Sequence, residues 1–182
     1  MFDVFKTDIR RVDDLGRIVI PKIMRNKLCI NEGDMMTWVV DGKRLLLMKA
    51  YRLDQFRKEA QAIVDEIHSK LDVPVVICNP DVVVASSAIY YANATIRREI
   101  AKRTIEFDSK NTQEVLKPFE EFNINARWVK PIVVNDNIEG YFIVLEDDDL
   151  LRHPKKFEAK DSKEQVTRCI DTLIHGMEGA TE

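Results

Sequence analysis

The chain is poor in the residues that cross-link or interrupt a fold. Its 182 residues include only three cysteines, six glycines and six prolines. Cys29, Cys78 and Cys169 lie far apart and form neither a disulfide framework nor a metal-binding pair, so we expect reduced, mostly buried thiols. No apolar run approaches the roughly 20 residues of a membrane helix, and the N-terminus lacks an apolar leader. These absences favour a cytoplasmic protein without a membrane partner.

The patterns that mark common enzymes are also missing. The three histidines, His68, His153 and His175, do not share a metal-binding spacing. Ser86-Ser87 is not embedded in a GxSxG motif, and there is no glycine-rich phosphate loop. The acidic run 146–149 lacks the spacing of a calcium loop. We therefore expect no catalytic residue, no metal and no cofactor, and hence no enzyme.

Charge is distributed unevenly, although the formal net charge is only −3. Residues 1–50 contain ten Lys/Arg against seven Asp/Glu, a net charge of +3. Residues 51–182 contain the remaining 18 and 24, a net charge of −6. A basic module followed by a more acidic body indicates a chain that contacts a polyanion through its N-terminal part.

The N-terminal part is predicted to be a β-turn-β-helix unit. Within residues 8–34, two short apolar strands flank a tight turn at 14–16. Pro21 suits the first position of a helix of about two turns, since its missing N–H is not needed there. Met24 and Leu28, four residues apart, are the predicted inward face of this helix. A short unit of this kind, rich in arginine, suits docking on a phosphate backbone.

A predicted turn at 31–34 leads from this unit into a hairpin. Its strands are 35–40 and 44–49, and Asp41-Gly42 between the two apolar runs favours a type I′ turn. Fifty residues of short strands bury too little surface for a stable single-chain core. An intertwined dimer, in which two copies share one core, solves this problem.

The segment VDDLGRIVIPK, residues 12–22, carries the most specific signal of the chain. It resembles the swapped-hairpin DNA-binding domain of the AbrB-type transition-state regulators. The resemblance implies a swapped-hairpin β-barrel dimer over residues 1–52. It also implies double-stranded, AT-rich DNA as the partner and sporulation genes as the targets. The DNA-binding residues that it implies are Arg10, Arg11, Arg17, Lys22, Arg25, Asn26 and Lys27.

Three residues of this segment need separate comment. Asn26 departs from the family, which often has a second arginine beside the first there, and Lys22 or Lys27 is the candidate substitute. Asp13 and Asp14 are unexpected on a surface that binds phosphates. For both we expect turn chemistry or pairing with the arginines.

Residues 53–182 have the pattern of an α+β domain with an antiparallel sheet. Apolar residues at helical spacing predict flanking helices over 53–71 and 162–177. Between them the sequence predicts strands over 75–78, 82–84, 127–134 and 138–145, a turn at 135–137, a short helix over 95–102 and a loop over 146–160. This order resembles a GAF-type sensor domain. The resemblance implies sensing or assembly through the flanking helices, and a homotetramer when combined with the N-terminal dimer.

Aromatic and apolar residues of the segment 85–125 allow two interpretations. They wall a pocket for an unknown small-molecule effector between this segment and the sheet, or they are simply packed in the core. The candidate pocket residues are Ile89, Tyr90, Tyr91, Phe107 and Phe119. The sequence as a whole favours a DNA-binding transcription regulator. The alternatives are an antitoxin with the same N-terminal fold and a ligand-binding sensor whose N-terminal module only dimerises.

Overall fold

The computed structural model describes residues 9–28, 30–112, 114–146 and 160–179. The chain divides into two compact units, Met1–Ala50 and Tyr51–Glu182, called unit 1 and unit 2 below. No helix within the described ranges combines the length and the apolar character needed to span a membrane.

The described residues of unit 1 form one short helix and one hairpin. The helix is α1 (Lys22–Lys27), and the hairpin consists of β1 (Met36–Asp41) and β2 (Arg44–Lys49). Pro21 lies directly before α1, where its fixed φ favours the start of a helix. The hairpin strands are antiparallel and pair without a register shift from the turn to their far ends.

The turns predicted at 14–16 and 31–34 are present. At the first, Gly16 has a φ of 78° and donates its N–H to the carbonyl of Asp13 at 3.0 Å. At the second, Gly33 has a φ of 87°, and Asp34 N–H donates to the carbonyl of Asn31 at 3.3 Å. A positive φ costs glycine little and other residues more, which explains why glycine occupies these two positions.

Two predicted features of unit 1 are wrong. The segments beside the first turn form no strands within the chain, since only one backbone bond, Asp13 N–H to Arg17 O, joins them beyond the turn itself. A strand needs a neighbour along its length, and the described part of the chain supplies none. The hairpin turn is centred on Gly42-Lys43, and only Gly42 has a positive φ, 59°. That is the pattern of a type II′ turn, because type I′ requires positive φ at both central residues.

Unit 1 has no buried side chain within residues 9–28 and 30–50. Met24 and Leu28, predicted to face inward, are exposed in the single chain, Leu28 by 60%. The physical reason is size, because one copy of this unit has too few residues to enclose them. Other large apolar side chains exposed here are Ile9, Val12, Leu15, Ile18, Val19, Ile23, Met35, Trp38, Val39, Val40, Leu45, Leu46 and Met48.

Unit 2 is an antiparallel sheet with helices. The α-helices among its described residues are α2 (Arg57–Leu71), α3 (Arg98–Ala101) and α4 (Lys160–Gly179). Its strands are β3 (Val75–Cys78), β4 (Val83–Ser86), β5 (Phe107–Asp108), β6 (Asn125–Val134) and β7 (Asn137–Glu146). The strand order is β4-β3-β7-β6-β5, and every neighbouring pair is antiparallel. The predicted mixed α and β composition and the antiparallel sheet are confirmed.

Both faces of this sheet are covered, because its strands are apolar on both sides. In β3, Val75 and Ile77 point into a core closed by α2 and α4, whereas Val76 and Cys78 point into a second core. The second core is closed by the segment 88–126, which carries several aromatic side chains. All four β3 side chains are fully buried.

Most predicted elements of unit 2 are present, with three differences. The turn before β7 is confirmed, and Asn135 and Asp136 have φ values of 49° and 64°. The predicted helix 53–71 begins as a 3₁₀ helix over Arg52–Phe56 before α2 starts. The predicted helix 95–102 is only α3, because Thr95 and Ile96 instead form isolated bridges to other segments. The two-residue β5 was not predicted.

The loop predicted over 146–160 lies outside the described residues apart from its two ends.

Gly140 determines how closely the 3₁₀ helix at the start of unit 2 approaches the sheet. A Cβ on Gly140 of β7 would lie 2.2 Å from the carbonyl oxygen of Cys78 and 2.6 Å from Cδ2 of Leu53. Leu53 is completely buried within the 3₁₀ helix 52–56. The absence of a side chain at Gly140 therefore lets the start of unit 2 pack directly on the central strand.

Candidate nucleic-acid interface

The predicted DNA-binding residues all belong to unit 1 and are all exposed. Two of them precede the first turn, one follows it, and four lie on α1. On α1, Lys22, Arg25 and Asn26 are spaced so that they share one helix face. The full set is Arg10, Arg11, Arg17, Lys22, Arg25, Asn26 and Lys27.

Asp13 holds the first turn and Arg17 together. Its Oδ1 accepts hydrogen bonds from the backbone N–H of Arg17 at 2.7 Å and of Leu15 at 3.1 Å. Its Oδ2 accepts from Nε of Arg17 at 2.7 Å. The role expected for Asp13, turn chemistry and pairing with arginine, is confirmed.

These contacts also fix the ionisation of Asp13. The hydrogen bond from Arg17 N–H, followed by that from the Arg17 side chain, lowers the pKa of the Asp13 carboxyl below its usual range. The carboxylate therefore remains charged at neutral pH. The Arg17 side chain is still 70% exposed, and its Nε bond to Asp13 leaves the terminal nitrogens of the fork for another acceptor.

The predicted effector residues of unit 2 do not line one cavity. Tyr91, Phe107 and Phe119 are buried in the second core, and the rings of Tyr91 and Phe119 stack with centroids 5.3 Å apart. Ile89 and Tyr90 are exposed, and Ile89 shows 90% of its surface. Three of the five are thus packed aromatic side chains of the core, and the ring of the exposed Tyr90 lies against that of Tyr91 with centroids 4.2 Å apart.

A groove of about 320 Å³ lies instead at the edge strand β4, and we call it the edge groove. Ile89 is the one predicted pocket residue that lines it. The edge groove also contains Arg57 and Gln61 from α2, and Ser86 and Asn93 from β4 and the segment after it. Sequence reasoning missed it, because these residues come from separate segments and match no motif.

Polar residues at the start of unit 2 form what we call the junction network. Tyr51 Oη donates to Oδ2 of Asp81 at 3.1 Å, and Arg52 N–H donates to Oε2 of Glu139 at 2.8 Å. Asp54 accepts from Nδ2 of the buried Asn79 at 2.9 Å. The first residues of unit 2 are therefore fixed to the β3–β4 turn and to β7.

The thiols and carboxylates do not form a reactive centre in the described ranges. Burial raises the pKa of the Cys78 thiol and, to a lesser degree, that of Cys169. Such thiols are protonated at neutral pH and are poor nucleophiles. No group of three or more His, Cys, Asp or Glu side chains there could hold a metal ion.

Comparison with known proteins identifies the class first. Residues 9–54 match the family described as "Antidote-toxin recognition MazE, bacterial antitoxin". Over 154 residues, the chain is 36% identical to Stage V sporulation protein T of Bacillus subtilis (strain 168), and the match covers 77% of this chain and 83% of that protein. The chain belongs to the AbrB-like family of Stage V sporulation protein T. The resemblance drawn from residues 12–22 is confirmed.

Proposed function

We propose that this protein is a DNA-binding transcription regulator of sporulation genes. The observation that carries the proposal is the surface of unit 1, which presents the seven predicted contact residues while burying none of its described side chains. Six of the seven are Arg or Lys, on the flanks of the first turn and on α1, and the seventh is Asn26. Membership of the family of Stage V sporulation protein T supports the link to sporulation.

The exposed apolar residues of unit 1 support a dimer. A two-stranded hairpin alone is at best marginally stable in water, and here β1 and β2 have no further strand to pair with among the described residues. The segments beside the first turn form no strand with the described residues either. A second copy that adds its own segments to these edges completes a swapped-hairpin β-barrel over residues 1–52. The same copy covers Leu28 and its apolar neighbours.

The DNA contact follows from charge and geometry. Arginine forks bind phosphate oxygens in pairs, and one side chain of this kind, Arg17, is already oriented by Asp13. A dimer has two sets of these contact residues, one from each copy. We propose double-stranded, AT-rich DNA as the partner, with Lys22 or Lys27 replacing the arginine that the family often has at Asn26.

Residues 53–182 are proposed to be a GAF-like module for sensing or assembly. The antiparallel sheet with α2 and α4 on one face and a loop-rich layer on the other supports this assignment. Dimerisation through such modules, added to the dimer of unit 1, gives a homotetramer with two DNA-binding heads. Two linked heads raise the affinity for paired sites without new contacts. The site of any effector around Ile89, Tyr90, Tyr91, Phe107 and Phe119 stays a prediction.

A salt titration of DNA binding tests the proposal. If four arginines of each chain reach phosphates, the eight contacts of a dimer give a slope of log K against log salt of roughly −7. We expect the double variant Arg10→Ala/Arg17→Ala to weaken binding and to flatten this slope. The matched control is Arg98→Ala/Lys102→Ala, which removes two exposed cations from unit 2. A slope near zero, or full affinity in the first double variant, contradicts the proposal.

An antitoxin is the second candidate, because the matched family is described as one. Against it stands unit 2, whose two apolar cores make it a folded domain. An antitoxin of this type needs a segment that wraps its toxin. Retention of DNA binding and of assembly by the purified chain alone, with no co-purifying protein, favours the regulator.

A further inference from the structure

The edge groove has the composition of a site for a small anion. Arg57 is the only charged side chain that lines it, and no carboxylate does, in the described part of the chain. The remaining wall is formed by apolar groups, such as Val84 and Ile89, and by neutral polar ones, such as Gln61 and Asn93. A volume of about 320 Å³ is at the lower end of the range of ligand pockets. These features fit a small molecule with one negative group and a short apolar body.

The edge groove is unsuited to an added peptide strand. Pairing with an edge strand requires free backbone groups along that strand. At Ser86, Gln61 already occupies them, since its Oε1 accepts from Ser86 N–H at 3.1 Å and its Nε2 donates to Ser86 O at 3.0 Å. The backbone of β4 is thus capped at its end, and a small ligand is the occupant that fits.

Arg57 is poorly satisfied by its present partner. Its Nη2 lies 3.4 Å from Oδ1 of Asp54, and its side chain is 47% exposed. Strong pairs of guanidinium and carboxylate have N–O distances of about 2.7–2.9 Å. Asp54 has a second and shorter hydrogen bond, from Asn79. A carboxylate in the edge groove can therefore attract Arg57 without leaving Asp54 unpaired.

The same Asp54 belongs to the junction network. Its Oδ2 accepts from Tyr51 N–H, the first residue of unit 2, at 3.4 Å. The Asp54 carboxylate therefore links Arg57 to Tyr51, the first residue of unit 2.

We propose that the edge groove binds a small organic carboxylate through Arg57, and that its occupancy changes DNA binding through Asp54. The second half rests on the proposed function, and the first half does not. Ile89, exposed by 90%, covers the apolar body of the ligand, while the Arg57 fork takes its carboxylate.

The first experiment measures binding without DNA. The full chain is dialysed to equilibrium against labelled butanoate, hexanoate and octanoate. We expect saturable binding of one molecule per chain, weakened about tenfold or more in Arg57→Gln, since a hydrogen bond to a charged group is lost. Arg98→Gln, the same change at an exposed arginine of α3, should bind as the wild type does.

Two competitors define the chemistry of the site. Hexanamide has the same body without the charge and should compete poorly. Inorganic phosphate should also compete poorly, and equal competition by phosphate would reduce the site to an adventitious ion only. Absence of saturable binding for all three acids, or unchanged binding in Arg57→Gln, overturns the proposal.

The second experiment adds DNA. The anisotropy of a labelled AT-rich duplex is measured with the full chain, with and without saturating hexanoate. We expect a change in Kd of about fivefold or more, and none in Arg57→Gln. Hexanoate binding with an unchanged Kd overturns the coupling. A chain that binds hexanoate but never binds DNA instead refutes the proposed function and leaves the carboxylate site intact.

Discussion

Unit 1 and unit 2 solve the problem of burying apolar side chains in different ways. Unit 2 encloses two cores, one on each face of its sheet, within a single copy. A similar fraction of the residues of unit 1 is apolar, but none of its described side chains is buried. The two tryptophans mark the contrast, since Trp128 of unit 2 is 1% exposed and Trp38 of unit 1 is 53% exposed.

The difference shows how the length of a segment limits the core that it can enclose by itself. A sheet that is covered on both sides needs apolar residues on both faces of each strand and segments long enough to cover them. Unit 2 has α2, α4 and the segment 88–126 for this purpose. The described residues of unit 1 form only α1 beside the hairpin, and in the proposed dimer the cover comes from a second copy.

The largest expected effect is that of a charge at Leu28. In a shared two-copy core, Leu28→Asp buries an unpaired carboxylate, which costs several kcal/mol and should abolish the fold of unit 1. The matched control is Ile105→Asp in unit 2, where the side chain is 70% exposed and the change should stay within about 0.5 kcal/mol. Sedimentation of the full chain and the emission of Trp38 report the outcome.

The same two variants can also contradict the view that unit 1, unlike unit 2, depends on a shared core. Leu28 is 60% exposed in one copy, so a self-sufficient unit 1 would tolerate the aspartate nearly as well as unit 2 tolerates it at Ile105. An unchanged size of the assembly with unchanged Trp38 emission would therefore remove Leu28 from any shared core.

A smaller effect is expected at the glycines of unit 2. Gly140→Ala places a methyl group against a backbone oxygen and Leu53, and overpacking of this kind costs about 3 kcal/mol or more. Gly176→Ala, inside α4, meets only a side-chain atom of Phe56 at 3.7 Å and should stabilise the helix by about 0.5–1 kcal/mol. Urea unfolding followed by Trp128 emission measures both. Equal stabilities of the two variants would show that the 3₁₀ helix 52–56 is not packed tightly on the sheet.

The smallest effect concerns an ion pair of unit 2. Burial raises the pKa of Asp108, but the hydrogen bonds from Lys163 and from Lys110 N–H outweigh it, and the net pKa is lowered. A lowered pKa stabilises the fold above the unfolded value of about 3.9, and that contribution is lost as the pH falls through the folded value. Asp108→Asn should therefore be less stable than the wild type at neutral pH, and the difference should shrink between neutral pH and about pH 3.

Denaturant unfolding of unit 2 at the two pH values tests this dependence. Asp136→Asn is the control, because the Asp136 side chain is exposed and asparagine tolerates its φ of 64°. A constant difference between Asp108→Asn and the wild type at both pH values would mean that its contact with Lys163 does not depend on charge.

Features set by neighbouring residues were predictable from the sequence. The Asn135-Asp136 turn, the glycine turns of unit 1 and the long apolar faces of α2 and α4 each depend on local chemistry. The pairing of Asp13 with Arg17 was expected from the resemblance to the family.

Features set by distant parts of the chain were not predictable. β5 has only two residues and exists because β6 lies beside it. Thr95 and Ile96 leave the expected helix because Val82 and Phe119 offer them bridges. The edge groove combines residues from α2, β4 and the segment after it, so no single window of sequence contains it.

The place of α4 in the chain has a consequence for synthesis. Val166, Ile170, Leu173 and Met177 of α4 complete the core on one face of the sheet, yet α4 follows every strand in chain order. A chain that emerges at roughly 5–20 residues per second can close the other face with residues 88–126 while this one is covered only by α2. A nascent chain that stalls before α4 therefore displays an apolar sheet face, which is the kind of surface that chaperones recognise.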